Sequence, residues 1–149
     1  MEQNTTLSPR QALQKHGYHV SGMSGVSMLP LLRQGKDLVL IQSGKPKKGD
    51  VALYEQDESG TCVLHRVLAV KDRVYVFRGD NCVNKEYVPE EFVLGVLTRI
   101  WRDGKEIDIK TDGRYRAYSI FWRATAFVRI PYKKLKFKLK KLIKKRRLC

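Results

Sequence analysis

Between residues 37 and 109 apolar side chains alternate with polar ones in short runs, whereas toward both ends of the chain they recur at every third or fourth position. Period two is the spacing of a strand with one buried face, and a period near 3.6 is that of a helix. The runs Asp37 to Gln42, Asp50 to Glu55, Thr61 to Val70, Arg73 to Arg78 and Val93 to Trp101 therefore predict strands. Turn-forming clusters such as Gly44-Lys45-Pro46 and Asp57-Glu58-Ser59-Gly60 separate them. Arg102-Asp103-Gly104-Lys105 predicts a hairpin into Glu106 to Ile109, because Asp-Gly supplies the positive φ of a tight turn. Upstream, Ser8-Pro9-Arg10-Gln11 reads as a capping box with proline at the first helical position, and Gly17 is placed to end that helix.

Downstream of residue 114, Tyr118, Phe121, Trp122, Val128, Tyr132, Leu135, Leu139 and Leu142 recur at helical spacing, with Arg123, Arg129, Lys133, Lys134, Lys136, Lys140 and Lys141 largely on other faces. Pro131 is expected to kink or divide this pattern. The chain thus reads as an N-terminal helix and lead-in (1–17), a β domain (18–113) and a basic amphipathic helical tail (114–149). The fold class is mainly β, built of short antiparallel strands.

Composition sharpens that division. The formal net charge is +15, yet residues 1 to 113 hold 16 Lys/Arg against all 15 Asp/Glu, while residues 114 to 149 hold 14 Lys/Arg and no acid. A near-neutral domain carries a cationic tail, and such a tail seeks anionic surfaces. A basic face, an apolar stripe and aromatics together fit a helix lying in a membrane surface. Nucleic acid is the less favoured partner, because the aromatics lie mostly upstream of the basic run instead of among it. The other expectation for Tyr115 to Val128 is packing on the β domain.

Three cysteines, Cys62, Cys82 and Cys149, have neither metal-ligand spacing nor an even count, which points to reduced thiols and to no metal or cofactor. Cys149 does not fit a prenylation signal, which needs three residues after the cysteine. Met1 to Thr6 lack the apolar core of a secretory leader, and no 18 uncharged apolar residues run together. The expected location is cytoplasmic, peripheral on the inner face of the membrane.

Candidate chemistry lies in two residues. Ser27 sits in the small-residue turn Gly25-Val26-Ser27-Met28-Leu29-Pro30, and a serine hydroxyl is a poor nucleophile until a base takes its proton. His65 lies in the run Thr61 to Val70, where alternation places it with Val63, Val67 and Ala69, opposite Cys62, Leu64, Arg66, Leu68 and Val70. Both faces are largely apolar, so the strand is expected to be central and the imidazole fixed. Alone, such a serine is commonly turn chemistry and such a histidine a structural one.

In order along the chain stand Gly25-x-Ser27-Met28-x-Pro30, Lys48-Gly49-Asp50-Val51, His65-Arg66-Val67 and Arg78-Gly79-Asp80-Asn81. This set, over about residues 18 to 109, resembles the signal peptidase I and LexA superfamily of serine peptidases. Histidine followed by Arg and Val resembles its endoplasmic-reticulum and sporulation-type Ser/His branch. The resemblance implies a LexA/signal-peptidase-like β domain, Ser27 as nucleophile, His65 as general base, and a peptide or protein substrate cut through an acyl-enzyme. It also implies an aspartate after the Gly-Asp-Asn box that orients the histidine. Here Cys82-Val83-Asn84-Lys85-Glu86 follow that box, so Glu86 is the candidate and Asp80 its competitor. The alternative function is a catalytically inactive peptidase-like module that binds anionic membrane or nucleic acid through the tail.

Overall fold

A computed structural model describes residues 7 to 146. Met1 to Thr6 and Cys149, on which the leader, prenylation and thiol-count readings bear, lie outside the described residues. Helix α1 (Pro9–His16) opens the structure, followed by strands β1 (Tyr18–Gly22), β2 (Leu38–Gln42), β3 (Val51–Glu55), β4 (Cys62–Lys71), β5 (Val74–Arg78), β6 (Glu86–Pro89), β7 (Val93–Arg102) and β8 (Lys105–Asp108). Two helices follow, α2 (Gly113–Ala124) and α3 (Ala126–Arg146). The strands form one antiparallel sheet in the order β1-β2-β7-β3-β4-β5-β6, with β8 added on β7.

Local chemistry sets the element ends. Ser8 and Gln11 exchange the two bonds of a capping box, and Gly17 closes α1 at φ 76°, where its N–H reaches the Leu13 carbonyl. Asp103 and Gly104 turn β7 into β8 with φ 50° and 75°. Alternation along β3 then divides the interior, since Leu53 joins a cluster with Leu13, Met28, Ile41 and Ile100. Ala52 and Tyr54 point the other way, to Val67, Tyr75 and Phe77.

Two strands escape the hydrophobic pattern, β1 and β6, and both are edges of the sheet. An edge strand satisfies only one side of its backbone and tolerates polar residues and proline, as in Glu86-Tyr87-Val88-Pro89. A second departure lies in β4, where Val67 pairs with Phe77 but Ala69 pairs with Val76. The extra residue, Leu68, is a bulge that flips the alternation, so Ala69 does not continue the face carrying Val63, His65 and Val67.

Asp37 is the main polar group beneath this sheet, fully shielded from solvent at its side chain. It accepts from the Arg33 N–H at 2.8 Å, from the Arg33 guanidinium at 3.0 and 3.1 Å, and from both Nε and Nη2 of Arg102. Burial alone would raise its pKa, but the bonds from Arg102 and Arg33 outweigh burial and hold it below the usual range. A depressed folded-state pKa stabilises the native state above the unfolded value of about 4 and is lost as pH falls through the folded one. Urea midpoints should therefore show Asp37→Asn well below the parent at pH 7, with the gap narrowing by pH 3. A gap constant with pH refutes this.

The tail divides at Thr125, six residues before Pro131, which α3 accommodates within its first two turns. Thr125 makes the break: its hydroxyl donates back to the Phe121 carbonyl at 2.8 Å, and Arg129 donates to Thr125 Oγ1 and to the Trp122 carbonyl. These bonds satisfy the final carbonyls of α2, so the backbone need not continue the same helix. Of the stretch Tyr115 to Val128, packing holds in part: Tyr115 and Tyr118 of α2 lie against the cluster around Leu53 and Ile100, while Phe121 and Val128 are exposed. The outer half is exposed, with Val128, Tyr132, Leu135, Leu139 and Leu142 all at least half open to solvent. No described helix is long and apolar enough to cross a membrane.

Candidate active site

Ser27 sits on a turn pinned at both ends. Gly25 adopts φ 80°, which favours glycine, and the next residue after the serine, Met28, is 1 % exposed in the core. From the facing loop, the Asn81 N–H donates to the Ser27 carbonyl at 2.7 Å and the Asn81 amide to the Val26 carbonyl at 3.1 Å. The loop between β5 and β6 thus fixes the backbone of Ser27 while its side chain stays half-buried.

The imidazole is placed by strand register. His65 on β4 lies opposite Ala52 on β3, so Tyr54, two residues along, is its diagonal neighbour on the same face. Phe77 pairs with Val67 on one side and Glu86 on the other, which carries that face out to β6. The result is that His65 Nδ1 lies 2.8 Å from Glu86 Oε2 and 3.1 Å from the Tyr54 hydroxyl, and Tyr54 also donates to Glu86. Burial, reinforced by that bond to Glu86, pushes the Tyr54 phenol far up, so it stays a neutral donor. A carboxylate against Nδ1 places the imidazole hydrogen there and leaves Nε2 as the basic nitrogen.

Nε2 is buried and makes no hydrogen bond among the described residues. Its direction is given by Gly79, where an added Cβ would lie 2.6 Å from the Ser27 carbonyl oxygen, 2.8 Å from Cys82 Sγ and 3.0 Å from Nε2 itself. A side chain at 79 would collide with the Ser27 main chain, so glycine is what lets the Ser27 turn close on the imidazole. Ser27 Oγ and Nε2 are not hydrogen-bonded to each other in this state. Burial, with Glu86 nearby, pushes the Cys82 thiol up, away from the reactive thiolate.

Asp80 does different work from Glu86. It forms a two-pronged pair with Arg66, at 2.8 and 2.7 Å, in which both side chains are 2 % exposed. Arg66 reaches on to the Gly49 carbonyl and Ser119, the Tyr118 hydroxyl donates to Asp80, and Trp122 Nε1 donates to the Asp80 carbonyl. The pair therefore ties the Ser27-binding loop to α2 and to the turn before β3, and Asp80 does not touch the histidine. His65 and Glu86 are joined, and the Ser27 backbone lies next to Nε2 across Gly79; Asp80 is set apart as a brace.

Sequence reasoning missed Tyr54 and the partner of Arg66. Tyr54 reads as one more core aromatic, and only the pairing of Ala52 with His65 shows where its hydroxyl goes. Among the described residues no group of three His, Cys, Asp or Glu side chains is placed to hold a metal ion. The chemistry available is that of a serine, an imidazole and a carboxylate. Comparison with family models, curated proteins and solved structures finds no match to the chain.

Proposed function

We propose that this chain is a serine endopeptidase of the signal-peptidase-like Ser/His kind, built on a LexA-like β domain and working at an anionic membrane surface. One observation carries the reading. A buried imidazole whose Nδ1 is held by Glu86 turns an unpartnered Nε2 toward the Ser27 turn. Buried polar atoms without partners are uncommon and costly, and the one here is the atom that general-base chemistry needs.

In the reaction, His65 Nε2 takes the Ser27 proton as Oγ bonds to the scissile carbonyl carbon, and Glu86 stabilises the imidazolium that forms. Collapse of the tetrahedral intermediate breaks the C–N bond, and His65 passes the proton to the leaving amine. Water, deprotonated by the same nitrogen, then hydrolyses the acyl-enzyme. The Ser27 N–H, which donates to nothing among the described residues, is available to the oxyanion. The hydrogen bond between Oγ and Nε2 forms with substrate in place, as catalytic hydrogen bonds commonly tighten in the substrate complex.

Mass spectrometry of a peptide mixture tests this directly: peptides cut by the parent and spared by Ser27→Ala identify the activity and the bond. A mixture processed identically by both removes the reading. Glu86→Gln should lower kcat by roughly 10²- to 10⁴-fold with little change in KM, because the carboxamide no longer fixes the tautomer. Tyr54→Phe, losing one hydrogen bond to Glu86, should cost only about fivefold. Steady-state kinetics that show the larger loss for Tyr54→Phe refute the assignment of Glu86.

The membrane part of the reading is supported by α3. Val128, Leu135, Leu139 and Leu142 form an exposed apolar stripe on a helix that carries no acid. Each Lys or Arg near an anionic leaflet contributes up to about 1 kcal/mol, so the tail needs no spanning segment to hold the domain there. The protein should sediment with phosphatidylglycerol vesicles and not with phosphatidylcholine ones, and high salt should release it. Equal sedimentation with both refutes the membrane reading.

A further inference from the structure

Beside its apolar stripe, α3 carries a second, basic one. Arg129, Lys133, Lys136 and Lys140 lie at intervals of four, three and four residues, hence along one ridge of α3. That ridge lines a groove of about 460 Å³ whose other walls include Trp122, Phe137 and Asn81, and no carboxylate lines it. Asn81 is the residue that holds the Ser27 carbonyl, so the groove begins beside the nucleophile turn.

We infer that this groove is the specificity subsite of the peptidase and that it selects substrates carrying acidic residues next to the cleaved bond. The inference rests on the peptidase reading in assigning the groove to substrate; its charge and shape do not depend on it. Lys133 is fixed on Asn81, donating to its carbonyl at 3.1 Å and to its side-chain oxygen at 2.6 Å, and so carries the positive field to the edge of the site. Burial first, then Arg129 nearby, pulls the Lys133 pKa down, with Cys82 and Asp80 opposing them. Lys136 and Lys140 make no ion pair among the described residues and are the free donors of the ridge.

Other anions fit less well. A bilayer is matched by the neighbouring apolar stripe of Val128, Leu135, Leu139 and Leu142. Trp122 is closed to a stacking nucleic-acid base, because Arg129 covers it with its guanidinium carbon 3.4 Å from the ring centre. A peptide laid across the Ser27 turn meets Asn81 at the edge of this groove, and carboxylates are what its four cations lack.

The test measures binding and cutting separately. Full-length Ser27→Ala protein, which binds without cutting, is titrated with twelve-residue peptides labelled with a neutral dye, carrying three Asp/Glu on either side of the central bond or Asn/Gln at the same positions. The background also carries Trp101→Phe, leaving Trp122 as the one tryptophan and its emission as a reporter of the groove. The acidic peptide should bind at least about tenfold tighter and change Trp122 emission, and Lys136→Glu with Lys140→Glu should abolish both effects. Lys136→Gln with Lys140→Gln should lose part of the preference. Equal binding of acidic and amide peptides overturns the inference, as does a preference that survives the charge reversal. Displacement of the peptide by phosphatidylglycerol vesicles assigns the ridge to lipid and overturns it too. A parent protein that cuts acidic and amide peptides equally keeps the peptidase and removes the subsite. Acidic-peptide binding by a parent that cuts nothing removes the peptidase and the groove's assignment to substrate together.

Discussion

Ser27→Ala and His65→Ala should each lower peptide cleavage by on the order of 10⁴-fold or more, and the double variant should be no worse than the poorer single one. The non-additivity is the informative part. A hydroxyl without its base, or a base without its hydroxyl, leaves the same residual activity from binding and oxyanion stabilisation, because proton transfer and nucleophilic attack are one event. Neither replacement should unfold the protein: Ser27 is half-buried and its side chain makes no hydrogen bond among the described residues, while Ala at 65 leaves the β3–β4 ladder intact. Circular dichroism unchanged alongside lost cleavage is the expected pair of results. Losses that multiply in the double variant would mean that the two residues act on separate steps, and the Ser/His assignment would not survive.

Asp80→Ala should destabilise the fold by about 3–5 kcal/mol, because it leaves the Arg66 guanidinium buried and unpaired. At the sensitivity usual for a domain of this size, that is a fall in Tm of roughly 10 °C. Replacing both partners together, Arg66→Met with Asp80→Leu, should recover much of the loss, since no lone charge then remains inside. Thermal unfolding separates these cases; a double variant as unstable as Asp80→Ala would show that packing of Tyr118 and Trp122, not charge, is what the pair protects. Cleavage should fall in Asp80→Ala even below its Tm, because the loop that carries Asn81 to the Ser27 carbonyl hangs from the same aspartate.

The parts of this fold that were legible in the sequence are those where one side chain decides a local outcome. Ser8 and Gln11 cap a helix, Asp103-Gly104 turns a hairpin, and alternating apolar residues mark β2, β3, β4, β5 and β7. The parts that were not legible depend on partners distant in the chain. β1 and β6 lie at sheet edges and carry no alternation strong enough to announce them, yet β6 delivers Glu86. The bulge at Leu68 follows from fitting β4 to β5, which period counting along one strand cannot see. Pro131 reads as the helix breaker, whereas the break falls at Thr125, where short-range bonds from Thr125 and Arg129 that the apolar pattern does not announce close the end of α2. At the site, Ser27 and His65 are marked by the boxes that carry the family resemblance, and Glu86 by what that resemblance implies. The choice between Glu86 and Asp80 required the pairing of Phe77 with Glu86 and the closure of Arg66 on Asp80.

Arg129 stiffens the joint between α2 and α3, since it binds the Trp122 carbonyl, the Thr125 hydroxyl and the face of the Trp122 ring at once. The indole on the far side of that joint holds the Asp80 carbonyl. Outer helix, indole and the loop gripping Ser27 are therefore linked by one unbroken series of contacts.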